Sequence, residues 1–369
     1  KAPANNIVFL VDVSGSMGSY NKLPLVISSL KELAKNLRPI DRIGIVVYAG
    51  AAGTVLESTS AGDINKIYTA LNRLRSGGST AGGEGIMAAY DIAKKNFLKN
   101  GNNRVILATD GDFNVGVSSK EGLVKLIEKK RKSNIFLSVL GFGNGNYKDH
   151  QMEQLADKGN GNYAYIDGLG EAQKVLVKEM SGTLIATAKD VKVQVEFNPS
   201  EVESYRLIGY VNRKMANEDF DRDEVDAGEL GASMNVTALY QIKPRNKNTK
   251  AKQSLKYQTK VLSEESGNGE LLTVKIRHKE PKGMKSKLAI FPLHPKDVKE
   301  DRSLNWAASV AGFGMLLRKS EFAGDLSYDM VKRLAKTYKK GLNSKHGEFK
   351  EFLQLINRAE NIGRSASLD

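Results

Sequence analysis

The chain has no cysteine and only four histidines among its 369 residues. The first absence excludes disulfides, thiol nucleophiles and thiolate metal sites, and it permits an oxidising compartment without requiring one. His150, His278, His294 and His346 are scattered, forming neither a paired-histidine metal motif nor a nucleophile with its base, so a hydrolase reading finds no support. No apolar run is long enough to cross a bilayer. A strand is expected a few residues after Lys1, so any signal peptide or lipid anchor is expected to have been removed or never to have existed, and membrane association is expected only through such an anchor. Acidic side chains are outnumbered, 42 against 56 basic ones, for a net charge of +14. That excess steers acidic partners without naming them. The length suits about two or three domains, each with its own core.

What is present is concentrated at Ile7-Val8-Phe9-Leu10-Val11-Asp12-Val13-Ser14-Gly15-Ser16-Met17. A continuous apolar run of this kind predicts a strand buried on both faces at the centre of a parallel sheet. Asp12 then stands at the strand end. Asp12, Ser14 and Ser16 alternate with other residues, so a near-extended backbone points three oxygens the same way, and Gly15 lets the chain curl around what they bind. Oxygen-only donors suit Mg²⁺, Mn²⁺ or Ca²⁺ and disfavour zinc or copper.

Up to about residue 182 apolar strands alternate with amphipathic helices, which predicts an α/β fold with a doubly wound, mostly parallel sheet of Rossmann-like character. Strands are expected at 7–12, 42–48, 104–110, 135–142 and 163–166, with helices at 25–37, 63–74, 84–98, 120–132, 150–158 and 171–184. Two strand ends carry the carboxylates Asp12 and Asp110, and open α/β sheets bind ligands at such ends where the strand order reverses. From Lys189 the texture changes to short runs at 191–197, 205–211, 234–242, 255–261 and 271–277, which suit an antiparallel sheet with one wet face. Helices follow at 304–318, 327–340 and 348–359. The expected division is residues 1–182, a β-rich, sandwich-like part at 183–298, and a helical segment at 299–369. Five strands are few for a sandwich, so a partner strand or an upstream segment is expected to complete the sheet.

The D-x-S-x-S of Asp12, Ser14 and Ser16 gains weight from Thr80 in the glycine-rich loop Gly77-Gly78-Ser79-Thr80-Ala81-Gly82-Gly83 and from Thr109-Asp110-Gly111 closing a later strand. Together these resemble the von Willebrand factor type A (VWA) domain. The resemblance implies a metal-ion-dependent adhesion site (MIDAS) at Asp12, Ser14, Ser16, Thr80 and Asp110, with no motif position substituted. It implies too that Asp12 and Asp110 act through bound waters and that a Glu or Asp of a partner completes the coordination. Hydroxyl ligands are neutral, so an ion held mainly by them keeps much of its charge and seeks a carboxylate. The plainer alternative is that Ser14 and Ser16 cap a following helix and Asp110 opens a turn. Further stretches, Tyr205 to Tyr210, Glu218 to Glu229, Val236 to Tyr240 and Val310 to Met315, resemble the region that follows the VWA domain in a group of bacterial proteins, envelope-associated or of unknown function.

Other signals lead elsewhere less well. Gly111 to Ser118 has phosphate-loop glycine spacing, but Val117 stands where the lysine is needed. Gly141-Phe142-Gly143-Asn144-Gly145-Asn146 lacks the third glycine of a dinucleotide fingerprint and reads as a tight loop. Asp219, Asp221 and Asp223 echo a calcium-binding loop, yet Glu224 replaces its glycine and Leu230 its last carboxylate, so a solvated acidic loop is expected. The basic stretch Lys243 to Lys260 has few interleaved aromatics; nucleic acid is not the expected partner, and a charged hairpin edge is the simpler account.

The expectation is therefore a non-enzymatic binding module in which Mg²⁺, or Mn²⁺ or Ca²⁺, captures an exposed Asp or Glu of a partner protein, in an extracytoplasmic setting such as the periplasm or cell surface. The alternatives are an assembly or chelatase-like factor working with a partner ATPase, and a structural envelope protein. The chain itself supplies neither a nucleotide motif nor a positioned general base.

Overall fold

The computed structural model describes residues 3–49, 52–78, 82–111, 120–143, 149–179, 186–210, 214–225, 227–232, 234–246, 262–281, 283–299, 301–339 and 347–365. The chain divides into two compact units, Lys1–Lys192 with Asp223–Met234 and His278–Lys287, and Val193–Arg222 with Asn235–Arg277 and Leu288–Asp369.

The first unit holds a six-stranded sheet made of β1 (Asn5–Asp12), β2 (Arg42–Tyr48), β3 (Ala52–Ser60), β4 (Asn102–Thr109), β5 (Phe136–Phe142) and β6 (Tyr163–Ile166), in the order β3-β2-β1-β4-β5-β6. All neighbours run parallel except β3, which pairs antiparallel with β2. From β1 the chain runs outward through β2 and β3, then returns to β4 on the other side, so the strand order reverses between β1 and β4. Strand β3 was not foreseen. It is an edge strand whose residues are mostly polar, with Leu56 and Thr59 its buried members, so its sequence lacks the apolar run that marks the central strands.

Every residue of β1 is buried. Its period-two alternation sends Ile7, Phe9 and Val11 to one face, against Val26, Leu30 and Leu33 of α1 (Leu23–Asn36) and Ile67 and Leu71 of α2 (Ile64–Asn72). Val8 and Leu10 point the other way, into a core shared with α3 (Gly82–Lys95), α4 (Lys120–Arg131) and α5 (Asp149–Lys158). Close approaches rest on two glycines. A Cβ on Gly85 would lie 2.8 Å from Tyr48 Cβ, and one on Gly161 would lie 1.8 Å from the carbonyl oxygen of Leu137. At the strand starts, Asn6 Nδ2 donates to Asn103 Oδ1 at 3.1 Å and Asn102 Nδ2 to Asn5 Oδ1 at 3.2 Å. There Asp41 accepts from Asn5 N (2.9 Å), Arg38 N (2.8 Å) and Arg38 Nη2 (2.8 Å).

The helix expected at 171–184 is α6 (Leu169–Gln173), which continues as one π-helical stretch, Lys174–Glu179. Beyond it the strands are β7 (Ala186–Phe197), β8 (Val202–Ile208), β9 (Gly228–Gly231), β10 (Leu239–Pro244), β11 (Leu272–Lys279) and β12 (Ser286–Leu293). They form a four-stranded sheet, β12-β11-β7-β9, and an antiparallel pair, β10-β8. Strands β9 and β12 were not foreseen: the first is four residues long, and β12 carries Pro292 and lies at a sheet edge, where a missing N–H is tolerated. The strand expected at 255–261 lies outside the described residues. In the second unit Phe197 stacks on Tyr205 at a 4.2 Å centroid separation. Three helices, α7 (Arg302–Leu317), α8 (Tyr328–Lys339) and α9 (Gly347–Ser365), gather Val331, Ala335, Phe349, Phe352 and Ile356 into a core, and Trp306 stacks on Tyr338 at 5.0 Å. Asp301 caps α7 through Ser303 N at 2.6 Å.

In the acidic stretch Glu218 to Glu229 the residues Glu218, Asp221, Arg222 and Glu224 are exposed, as expected of a solvated loop, and several of its groups are paired. Asp219 pairs with Arg222, Asp221 pairs with Arg277, and Lys279 Nζ reaches Asp190 Oδ2 at 2.7 Å and the carbonyl of Asp223 at 2.8 Å. Arg277 and Lys279 of β11 thus tie the stretch down at the Asp221 carboxylate and the Asp223 carbonyl. Among the described residues no cluster of three or more His, Asp or Glu side chains could cage a metal ion, and no helix is long and apolar enough to cross a membrane.

Candidate metal centre

Parallel pairing puts Asp12 of β1 beside Tyr48 of β2, and Val11 beside Ala108 of β4, so the ends of three strands meet at one level. Past Asp12 the backbone turns at once: Ser14 N donates to Asp12 Oδ1 at 2.9 Å, and a 3₁₀ turn, Gly15–Gly18, closes with Met17 N donating to Ser14 O at 3.0 Å. The glycine-rich loop is tied to this turn by Gly15 N to Gly78 O (3.1 Å) and Gly77 N to Val13 O (2.8 Å). Thr80 itself lies outside the described residues.

Ser14 stands at the N-cap position of the 3₁₀ turn, yet its side chain makes no cap hydrogen bond. Its Oγ lies 3.1 Å from Ser16 Oγ instead. The capping alternative therefore fails for Ser14, and the two hydroxyls stand together as a pair.

Asp12 is fully buried. Its Oδ1 accepts from Ser14 N, and its Oδ2 accepts from Tyr48 Oη at 3.0 Å and Thr109 Oγ1 at 3.1 Å. Thr109 Oγ1 in turn accepts from Gly111 N at 3.2 Å, which fixes the start of the loop carrying Asp110. Burial raises the Asp12 carboxyl above the usual aspartate range; hydrogen bonds from Ser14 and Tyr48 pull it down by less, and the charge of Asp110 adds to the rise. Tyr48 is pushed well up by burial first and by the Asp12 charge second. The three donors to Asp12 are neutral, so hydrogen bonding has not supplied the positive charge that a buried carboxylate lacks.

Asp110 is 2% exposed in its side chain, and its Oδ2 accepts from Lys22 Nζ at 2.8 Å. Lys22 Nζ also donates to the carbonyl of Ser16 at 3.0 Å. An ammonium thus already stands where the Asp110 loop meets the Ser16 turn. Two buried carboxylates and the Ser14–Ser16 hydroxyl pair form an all-oxygen donor set of the kind a hard divalent ion takes, with the Lys22 ammonium already seated on Asp110. Of the five residues expected at the site, Asp12, Ser14 and Ser16 share the turn that ends β1, and Lys22 joins that turn to Asp110. Tyr48 and Lys22 were not singled out by the sequence. The parallel pairing of β1 with β2 puts the last residue of β2 beside Asp12, which is the signal for Tyr48; Lys22 carries no comparable one.

Residues 6–179 match the family model of the von Willebrand factor type A domain, and residues 182–362 match that of "Uncharacterized protein YfbK, C-terminal". The chain thus carries a VWA domain followed by a YfbK-type C-terminal region. It is 43% identical over 360 residues, 98% of its length, to "Uncharacterized protein YfbK" of Escherichia coli (strain K12), and it spans 62% of the length of that protein. Similarity extends to inter-alpha-trypsin inhibitor heavy chain H3 of Pongo abelii, at 22% identity over 63% of this chain and 28% of that one. Among solved structures, a von Willebrand factor type A protein from Catenulispora acidiphila shares the fold with a TM-score of 0.51, at 14% identity, over 96% of this chain and 82% of that one.

Proposed function

We propose that the chain is a metal-dependent protein-binding module in which Asp12, Ser14, Ser16 and Asp110, with Thr80, hold Mg²⁺ or a similar hard divalent ion and a partner protein presents an Asp or Glu to it. The observation that carries the reading is the fully buried Asp12, which has neutral donors alone at both oxygens and lies two residues before Ser14, whose hydroxyl pairs with that of Ser16 and makes no cap hydrogen bond. When bound, the ion supplies a Lewis-acidic vertex for an outside carboxylate. Ser14 and Ser16 contribute neutral oxygens, which leave that ion its charge, while Tyr48 and Thr109 orient Asp12 from behind. The role inferred for the ion is capture of a partner and not turnover of a substrate. The setting proposed is outside the cytoplasm, in the periplasm or at the cell surface.

The test is capture from a native lysate with and without Mg²⁺, beside calorimetric titration with Mg²⁺ and Mn²⁺. Ion uptake by the wild type, and partner capture lost with EDTA and in Asp12→Ala, is the expected result. Capture that survives both treatments overturns the reading.

A further inference from the structure

Lys22 precedes the first turn of α1 and points back into the site. Its ammonium donates to Asp110 Oδ2 at 2.8 Å and to the carbonyl of Ser16 at 3.0 Å, and its side chain is 17% exposed. The stem packs closely as well. It lies on Gly143, where an added Cβ would come within 2.5 Å of Lys22 Cε and 2.8 Å of Cγ. Gly143 has φ of +86°, a conformation that favours glycine, and its carbonyl accepts from Tyr165 Oη at 2.8 Å. The end of β5 is therefore shaped around the lysine stem, and the lysine spans three chain segments: the Ser16 turn, the Asp110 loop and residue 143.

Charge balance gives this placement a consequence. Asp12 and Asp110 together bring two negative charges, which a divalent ion alone cancels. With Lys22 in place the loaded site is positive by one charge, and an anion is drawn to it. The ammonium at Asp110 Oδ2 also competes with any metal for that oxygen. We propose that Lys22 is a built-in counter-cation that holds Asp110 back from the metal, trading affinity for the ion against affinity for the incoming carboxylate. The inference rests on the metal reading above and deepens it by assigning the residue that sets the balance.

The test uses the full chain as wild type and Lys22→Met, with Mn²⁺ as probe in calorimetry and in paramagnetic resonance of the free ion, and acetate as a simple carboxylate added at saturating Mn²⁺. Removing the ammonium tightens Mn²⁺ binding by about tenfold or more and weakens the acetate response. Equal or weaker Mn²⁺ binding by Lys22→Met, with wild type binding normally, overturns the inference and leaves the metal reading standing. Uptake by the variant alone supports Lys22 as the block; uptake by neither chain removes the metal reading and this inference with it. Should Lys22→Met fail to fold because Asp110 loses its buried partner, Lys22→Gln, which keeps a donor without the charge, decides on the same terms.

Discussion

Tyr48 donates its hydroxyl to Asp12 Oδ2 across 3.0 Å, and the two residues are direct partners in adjacent parallel strands. The carboxylate of the candidate metal centre is therefore held from behind by the sheet itself, with its charge answered by neutral groups.

That arrangement predicts an unusual response to neutralising Asp12. Burial is the largest influence on its carboxyl and raises it, so the folded protein keeps this proton to higher pH than the unfolded chain does. An acid raised in the fold binds more protons native than unfolded, and stability then falls as pH rises from the ordinary aspartate range through the raised value. In EDTA at pH 7, Asp12→Asn should melt higher than wild type, by about 2–4 °C for each kcal/mol relieved. The increase in melting temperature on adding Mg²⁺ should be lost. Scanning calorimetry across pH, with and without the ion, checks both; a variant that melts lower in EDTA refutes the charge argument.

Asp41 behaves in the opposite sense. Burial opposes its ionisation, but Arg38 side-chain and main-chain hydrogen bonds and the Asn5 amide outweigh it, so its carboxyl lies below the usual range. A depressed acid contributes stability that is full above the unfolded value, near about 3.9, and is lost as pH falls through the folded one. Asp41→Asn should cost about 1–3 kcal/mol at neutral pH, and the gap to wild type should close on acidification. Urea unfolding at a series of pH values measures it.

Gly161 has no room for a methyl group, since a Cβ would sit 1.8 Å from the Leu137 carbonyl oxygen in β5. Gly161→Ala must displace the backbone between α5 and β6 and should cost more than about 3 kcal/mol. Soluble yield and urea midpoint report it, and a wild-type midpoint would refute the contact.

Trp306 is the one tryptophan in the chain and stacks within the C-terminal helices against Tyr338, with Phe352 edge-on at 5.1 Å. Its fluorescence reports that cluster directly. Phe352→Ala should lower the fluorescence-monitored transition by about 3–5 kcal/mol and shift the folded emission to the red.

Much of the first unit was legible because its signals are strong where its structure is simple. The strands expected at 42–48 and 163–166, apolar apart from Arg42 at the start of the first, coincide with β2 and β6. Asp12, Ser14 and Ser16 were legible for a related reason, since a short motif at a strand end leaves few conformations open. Strand β3 escaped because an antiparallel edge needs little apolar surface, and β12 because its residues are half-buried or exposed throughout and one is a proline. Lys22 escaped for a different reason. Its role depends on Asp110, 88 positions away, and on the missing Cβ of Gly143, and no local pattern encodes such a meeting.

The asparagine pairs at the strand starts bear on all of this from the far end of the sheet. Asn5 and Asn6 align with Asn102 and Asn103, and their amides bond side chain to side chain between β1 and β4. A slip of one residue would break those bonds and turn every side chain of the slipped strand to the opposite face, carrying Thr109 away from Asp12. The amides act as a ruler: the spacing of the acidic end is measured out from the opposite end of the sheet.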